Sequence, residues 1–496
     1  MTSVYKLTVL FCLFGVNMAL VFGQQPNIIV IFADDLGYND VGFTGATPIK
    51  TPNIDKLAES GVIFTDGYVT HPYCGPSRAG LMSGRYQARF GMESNPSYSP
   101  YDVDQGIPLD VRFFPEELQK KGYRTGIIGK WHLGAAPPQQ PNNRGFDYFF
   151  GFLGGGHDYF TTDITASHYT KDGKRLAYSP VEGGYLPLQR NKLAENVNGY
   201  LTTVFSEDAV KFVEDSKNDA KPFFLYLAYN APHGPLQAPK DIIDKYKHIE
   251  DKNRRVYAAM IDVMDQGIGL LIDALEKSGQ RHNTMIYFLS DNGGVYPKRN
   301  YENEDWADNS PFRAGKGSTF DGGIRVPFIL SWPAKIAAGT VYSNPVISLD
   351  IAATSLKVAD KQSDLSQYDG KNLIPYVLGE NTGLPHEALF WRGGNGRSFA
   401  VRTATEKLIG RSGKRLEVQY YSIDTDISEN DNIIENKKKS AMKVAELWNA
   451  WNKKNVPNRH IQVGDYQKKR ETKLKEIHED YQSKTKPLYF IPKGLD

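Results

Sequence analysis

Cysteine is nearly absent. The 496-residue chain holds two, Cys12 and Cys74. Cys12 falls in an apolar run at the start of the chain. Lys6 gives that start a positive charge, residues 7–22 are apolar apart from Thr8 and Asn17, and Val21-Phe22-Gly23 suits cleavage. Residues 1–23 therefore read as a secretory signal peptide. Phe11 before Cys12 makes a poor lipoprotein site. The one cysteine left after cleavage cannot close an intramolecular disulfide, although exported proteins often carry them. The chain also lacks an Asn-x-Ser/Thr acceptor with a permitted middle residue. Both absences favour a bacterial exported protein, periplasmic or secreted, over an animal lysosomal one. No later run is long and apolar enough to span a bilayer. Charge of one sign is lacking too: the formal net charge is +2, which gives no global field for nucleic acid. No internal repeat or low-complexity tract stands out.

What is present is an alternation of buried strands and helices. Asn27-Ile28-Ile29-Val30-Ile31-Phe32-Ala33 is a continuous apolar run rich in β-branched residues, the mark of a strand covered on both faces. Similar short runs follow at 62–64, 124–129, 223–229 and 285–289. Helices are expected from Pro52 up to Gly61, over 115–121, over 202–216 and over 252–277. Residues 135–201 are irregular and rich in Gly, Pro and aromatics, which reads as a long binding loop or lid on the scaffold. After Pro375 the pattern changes to short strands at 388–391, 398–402, 407–409 and 418–422, then a helix near 440–452. Lys437-Lys438-Lys439 reads as a solvated helix entry. Residues 456–496 read as a helix with an extended surface tail. The expected fold is α/β: a large central mixed, mainly parallel sheet sandwiched by helices, with a smaller C-terminal α+β subdomain containing an antiparallel sheet. The expected division is 1–23 signal peptide, 24–374 larger N-terminal domain and 375–496 C-terminal subdomain with sheet, helix and tail.

Four polar groups stand directly after four of the expected parallel strands: Asp34-Asp35, Lys130 with His132, His233, and Asp291-Asn292. In open α/β sheets the ligand crevice lies outside the carboxyl ends of the strands. Asp34, Asp35, Asp291 and Asn292 offer oxygen only, which suits a hard divalent cation, calcium or magnesium, and argues against zinc. His132 and His233 are candidate proton carriers. Cys74 itself lies in His71-Pro72-Tyr73-Cys74-Gly75-Pro76-Ser77-Arg78-Ala79-Gly80-Leu81-Met82-Ser83-Gly84-Arg85. Pro76 suits a first helical turn and Gly84 a C-terminal cap. This places Cys74 at a helix N-terminus, where anions are favoured, with Arg78 one turn on and on the same side.

Cys-x-Pro-Ser-Arg followed by Ala-Gly-Leu-Met-Ser-Gly-Arg resembles the signature of the formylglycine-dependent sulfatases of the alkaline-phosphatase superfamily. The blocks at 34–35, 130–132, 233, 291–292 and 316–327 resemble that family in the same order. The resemblance covers about 27–332, and Tyr421-Ser422-Ile423-Asp424 resembles the family's end. It implies an alkaline-phosphatase-like fold and a sulfuric ester hydrolase most similar to bacterial polysaccharide sulfatases. It also implies that a formylglycine-generating or equivalent maturation enzyme oxidises Cys74 to 3-oxoalanine. By the same resemblance Asp34, Asp35, Asp291, Asn292 and modified Cys74 hold calcium, and Arg78 and Lys130 hold the formylglycine. His132 is its proton partner, and His233 and Lys316 stand at the sulfate and leaving group. Asp321 departs from the Glu that many relatives carry before the paired glycines. A hydrated aldehyde offers two hydroxyls on one carbon, so sulfate taken by one is expelled by deprotonating the other. His157 and Asp158, in the glycine-rich stretch Gly154-Gly155-Gly156, are candidate sugar contacts. The expected substrate is a sulfated polysaccharide or its oligosaccharides, for example an algal galactan. The alternatives are a phosphate diester or phosphonate hydrolase of the same superfamily and an inactive glycan-binding relative.

Overall fold

In this computed structural model the described residues are 25–45, 48–100, 102–160, 188–195, 197–217, 219, 221–296, 306–412 and 416–459. The expected signal peptide and most of the expected C-terminal tail lie outside them. The strands of the larger unit are β1 (Asn27–Ala33), β2 (Val62–Phe64), β3 (Gly67–Tyr68), β4 (Arg124–Lys130), β5 (Tyr148–Phe152), β6 (Gln189–Arg190), β7 (Leu193–Ala194), β8 (Phe223–Ala228), β9 (Thr284–Ser290), β10 (Phe328–Ser331), β11 (Thr340–Tyr342) and β12 (Val346–Ile347).

Ten of them form one sheet in the order β11-β2-β10-β9-β1-β8-β4-β5-β6-β7. β9, β1, β8, β4 and β5 run parallel, and β10 joins β9 and β2 antiparallel. The pleat of β1 divides its apolar run between two cores. Ile28, Val30 and Phe32 belong to one, beside the helices Cys74–Ser83, Phe114–Lys120 and Leu349–Ala359. Ile29, Ile31 and Ala33 belong to the other, beside Pro52–Glu59, Leu201–Ser216 and Lys252–Lys277. Helices thus cover both faces, as the continuous hydrophobic runs require.

β5 corrects the reading of 135–201 as irregular throughout. Tyr148-Phe149-Phe150-Gly151-Phe152 is a sheet strand paired in parallel with β4. In the sheet, a Cβ at Gly151 would fall 1.9 Å from the Gly129 carbonyl oxygen, so only glycine lets β4 and β5 approach so closely. The stretch 161–187 of that expected lid lies outside the described residues.

The C-terminal part is an antiparallel sheet of β13 (Leu389–Gly393), β14 (Ser398–Arg402), β15 (Glu406–Ser412) and β16 (Leu416–Ser422). The helix Lys438–Asn452 lies on one face of this sheet. There Trp448 stacks on Phe399 at 4.5 Å and Trp451 on Phe390 at 4.9 Å. The sheet is tied to the larger unit by the Trp391 indole N–H, which donates to the Val69 carbonyl at 2.6 Å, and by a buried ionic cluster. In that cluster Lys407 on β15 pairs with Asp321 at 2.5 Å and with Glu429 at 2.7 Å. Arg402 on β14 meets Asp66 at 3.0 Å.

Candidate active site

The helix Cys74–Ser83 begins at Cys74, with Tyr73 extended before it and Gly84 left-handed after it at φ 61°. Every residue of this helix is buried, so its N-terminus meets a crevice shielded from solvent, with the Gly75 N–H held by Asn95 Oδ1 at 2.9 Å. That crevice is the carboxyl edge of β1, β4, β8 and β9, where Asp34, Lys130, His233 and Asp291 emerge.

The Cys74 thiol lies 3.4 Å from Asp34 Oδ1 and 4.0 Å from Asp35 Oδ1. Asp34, Asp35, Cys74 and His233 each bring one ligand atom, all within 4.8 Å of one another. Asp291 adjoins them, its Oδ1 accepting from the Asp35 backbone N–H at 3.3 Å. Asn292 donates its amide N–H to Asp35 Oδ1 at 2.7 Å, and its own Oδ1 is buried with no hydrogen-bond partner. Three carboxylates face three cations. Lys130 Nζ lies 2.6 Å from Asp34 Oδ2. Arg78 donates to Asp291 Oδ2 from Nε at 3.0 Å and meets it from Nη2 at 2.9 Å. Lys316 Nζ lies 2.6 Å from Asp35 Oδ2. Arg78 Nη1 also donates to the Lys130 carbonyl at 3.1 Å and the Tyr226 hydroxyl at 3.4 Å.

Burial sets the protonation of these groups. It pushes the Cys74 thiol up, and Asp291 adds to the push. It raises Asp291 to about 6, helped by Asp34. At Asp35 burial opposes the charge, but Lys316 and His233 outweigh it and hold the carboxyl well below the usual range. Burial, then Lys130 and Arg78, pushes His132 well down. Burial and Lys316 bring His233 down to about 3. A buried protein thiol is not the nucleophile such a site needs, since the reactive form is the thiolate. A divalent cation fits the oxygen set, because the carboxylates are hard donors and Asn292 Oδ1 has a lone pair to give.

Two of these residues hold backbone conformations that are rare outside glycine: Asp35 at φ 63° and His132 at φ 59°. Such strain clusters at functional sites. His132 is held by its N–H to the Leu153 carbonyl at 3.2 Å. A Cβ at Gly155 would lie 2.8 Å from His132 Nε2, so the glycine run packs directly on this imidazole. His233 Nδ1 donates to the Gly234 carbonyl at 2.7 Å, which leaves Nε2 toward Asp35 at 3.6 Å. His157 and Asp158 follow β5 and are 9% and 6% exposed. His157 Nδ1 lies 2.7 Å from the Asp158 carbonyl, and Asp158 accepts from Gln237 at 3.3 Å. The Tyr159 hydroxyl next to them lies 2.6 Å from the Asn230 carbonyl and 2.7 Å from the His233 carbonyl, with one proton to share between them. The pair therefore stands behind the His233 turn.

Tyr226 and Gln237 are not marked out by the sequence. Each is one aromatic or amide among many, with no spacing signal.

A sulfatase family profile matches residues 26–361. The chain belongs to the sulfatase family. A second profile, N-sulphoglucosamine sulphohydrolase C-terminal, matches 315–456. Mouse (Mus musculus) N-acetylgalactosamine-6-sulfatase is 32% identical over 368 residues, 72% of this chain and 66% of that enzyme. The uncharacterized sulfatase YdeN of Escherichia coli is 32% identical, over 74% of this chain and 68% of that protein. The crystal structure of Ps i-CgsB with k-i-k-neocarrahexaose superposes with a TM-score of 0.80 at 37% identity, covering 93% of this chain and all 100% of that one. This sulfatase thus shares both its central sheet and its C-terminal sheet with a solved relative. Among the described residues no helix is long and apolar enough to cross a membrane.

Proposed function

We propose that this sulfatase removes sulfate from an oligosaccharide of a sulfated algal galactan, with Cys74 matured to 3-oxoalanine as its nucleophile. The observation that carries the reading is Cys74 at a buried helix N-terminus, in contact with Asp34 and Asp35 and faced by three fixed cations. The neocarrahexaose bound by the relative supports the choice of sugar.

Asp34, Asp35, Asp291 and Asn292 would hold calcium, which when bound supplies positive charge beside the sulfate oxygens. Arg78 and Lys130 orient the modified side chain and stabilise negative charge in a water-poor crevice. His132, neutral before substrate arrives, accepts the proton whose removal lets sulfate depart. Lys316 and His233 stand on the leaving-group side. Lys316 carries the positive charge there, and His233 is oriented by the Gly234 carbonyl. His157 and Asp158 act at the sugar end, through the turn that bears His233. The apolar start of the chain directs export before the enzyme meets its substrate, and a maturation enzyme acts on Cys74.

The test is sulfate release by matured protein from defined sulfated oligosaccharides, with mass spectrometry of the Cys74 peptide. Turnover that tracks the aldehyde content supports the reading. Full turnover with an intact thiol, or release of phosphate or phosphonate but no sulfate, refutes it.

A further inference from the structure

A cavity of about 790 Å³ opens beside the active site, between the larger unit and the C-terminal sheet. Its size falls within the range of small-ligand sites. One wall is Tyr73, the residue before Cys74, and the loop from Gly317 to Phe320, the residues after Lys316. The two parts of this wall are joined, for Gly317 N–H donates to the Pro72 carbonyl at 2.8 Å. The cavity therefore begins where the nucleophile and Lys316 end.

The opposite wall is one face of the C-terminal sheet, and the strand register explains its chemistry. Residues two apart on a strand share a face. Three cross-strand rows follow: Arg402, Lys407 and Tyr421; Ala400, Ile409 and Gln419; Ser398, Arg411 and Glu417. The first row is locked into the larger unit. There Lys407 pairs with Asp321, Arg402 with Asp66, and the Tyr421 hydroxyl accepts from Arg313 at 3.3 Å. The third row lies further out and lines the cavity. Arg411 is exposed there. Among the described residues no carboxylate pairs with it, not even Glu417 directly across the strands. Arg313 reaches the same cavity with its guanidinium fixed, 4.2 Å over the Phe320 ring and donating to the Glu429 carbonyl at 2.8 Å. Two arginines against one glutamate make this an anion-preferring wall.

We propose that this cavity binds the sugar next to the one being desulfated, and that Arg411, supported by Arg313, binds an anionic substituent on that neighbour, a sulfate or a uronic carboxylate. This rests on the sulfatase reading and adds the substrate class: the enzyme selects chains charged on consecutive sugars. A guanidinium fork suits a planar carboxylate or two sulfate oxygens, whereas a lysine offers only a point charge.

The experiment uses the matured full-length enzyme and three oligosaccharides that share a sulfated target sugar. The adjacent sugar carries a sulfate, a carboxylate or neither. The wild type should favour one or both charged neighbours by about 10- to 100-fold in kcat/KM, chiefly through KM, the gain typical of a hydrogen-bonded charge pair. Arg411→Ala should erase that preference, and Arg411→Lys should keep part of it. A preference for sulfate alone or for carboxylate alone identifies the group that is read. No preference in the wild type, or an equal loss by Arg411→Ala on all three substrates, overturns the proposal. If the wild type releases sulfate from none of them, the sulfatase reading fails. Calorimetric affinities on Cys74→Ala protein then judge the cavity separately: an Arg411-dependent preference for the charged neighbour upholds it, and equal affinities overturn it.

Discussion

Replacing Lys407 by methionine keeps most of the side-chain length and removes the charge. Its ammonium sits 2.5 Å from Asp321 and 2.7 Å from Glu429, and all three side chains are fully shielded from solvent. Without it two carboxylates share one buried place. Removing one partner of a buried ion pair costs ~3–5 kcal/mol. Two features limit the loss here. Arg325 still lies 3.4 Å from Asp321. Glu429, already pushed up to about 7 by burial in the presence of Lys407, can take a proton. The low end, ~3 kcal/mol at pH 8, is therefore expected. Glu429 has a higher pKa folded than unfolded, so the folded state binds more protons and stability falls as pH rises from about 4.5 to its folded value. In the variant that value rises further, so the deficit should be larger at pH 8 than at pH 5.5. Asp321, held at about 2 in the wild type as its cations outweigh burial, contributes stability that is lost only as pH falls below its unfolded value of 3.8, outside this window. Urea midpoints of both proteins at the two pH values measure the difference. The loop that carries Lys316 ends at Asp321, so kcat/KM should fall along with stability. An unchanged midpoint at pH 8, or a deficit that grows on acidification, refutes the reasoning.

Cys74→Ser lacks the second hydroxyl of a hydrated aldehyde, and steady-state sulfate release should fall to near zero while substrate still binds; release at the wild-type rate would contradict the role given to the aldehyde. Thorough chelation should abolish turnover and lower the melting temperature, because a cation that binds only the folded state stabilises it; calcium should restore both better than zinc, and unchanged turnover after chelation would remove the metal from the scheme. His132→Ala should slow an activated aryl sulfate and a sulfated oligosaccharide alike, by roughly 10²–10⁴-fold. His157→Ala should impair the oligosaccharide and largely spare the aryl sulfate; equal loss on both would place His157 with the reacting groups.

The fold was readable where one physical rule dominated. β1, β8 and β9 are continuous apolar runs, and burial on both faces leaves no other reading. The polar residues that end them were readable as a site because they share one sheet edge. β5 was not readable, since its aromatics and Gly151 mimic a loop and only the close approach to Gly129 explains the glycine. The Lys407 cluster was hidden for a different reason. Asp321 and Lys407 are 86 residues apart, and each alone looks like a surface charge. The placement of His157 and Asp158 behind the His233 turn likewise depends on Gln237, 79 residues from Asp158, which the order of residues does not announce.

Cys74 is 1% exposed, on a helix with no exposed residue. On the reading proposed above, an enzyme that oxidises Cys74 has to reach it before this helix is packed away. Oxidation and folding would then compete for the same polypeptide. A chain that folds first would keep its thiol, native in shape and inactive. Specific activity would report on the order of those two events as much as on the sequence, and adding calcium to the folded thiol form would not restore it.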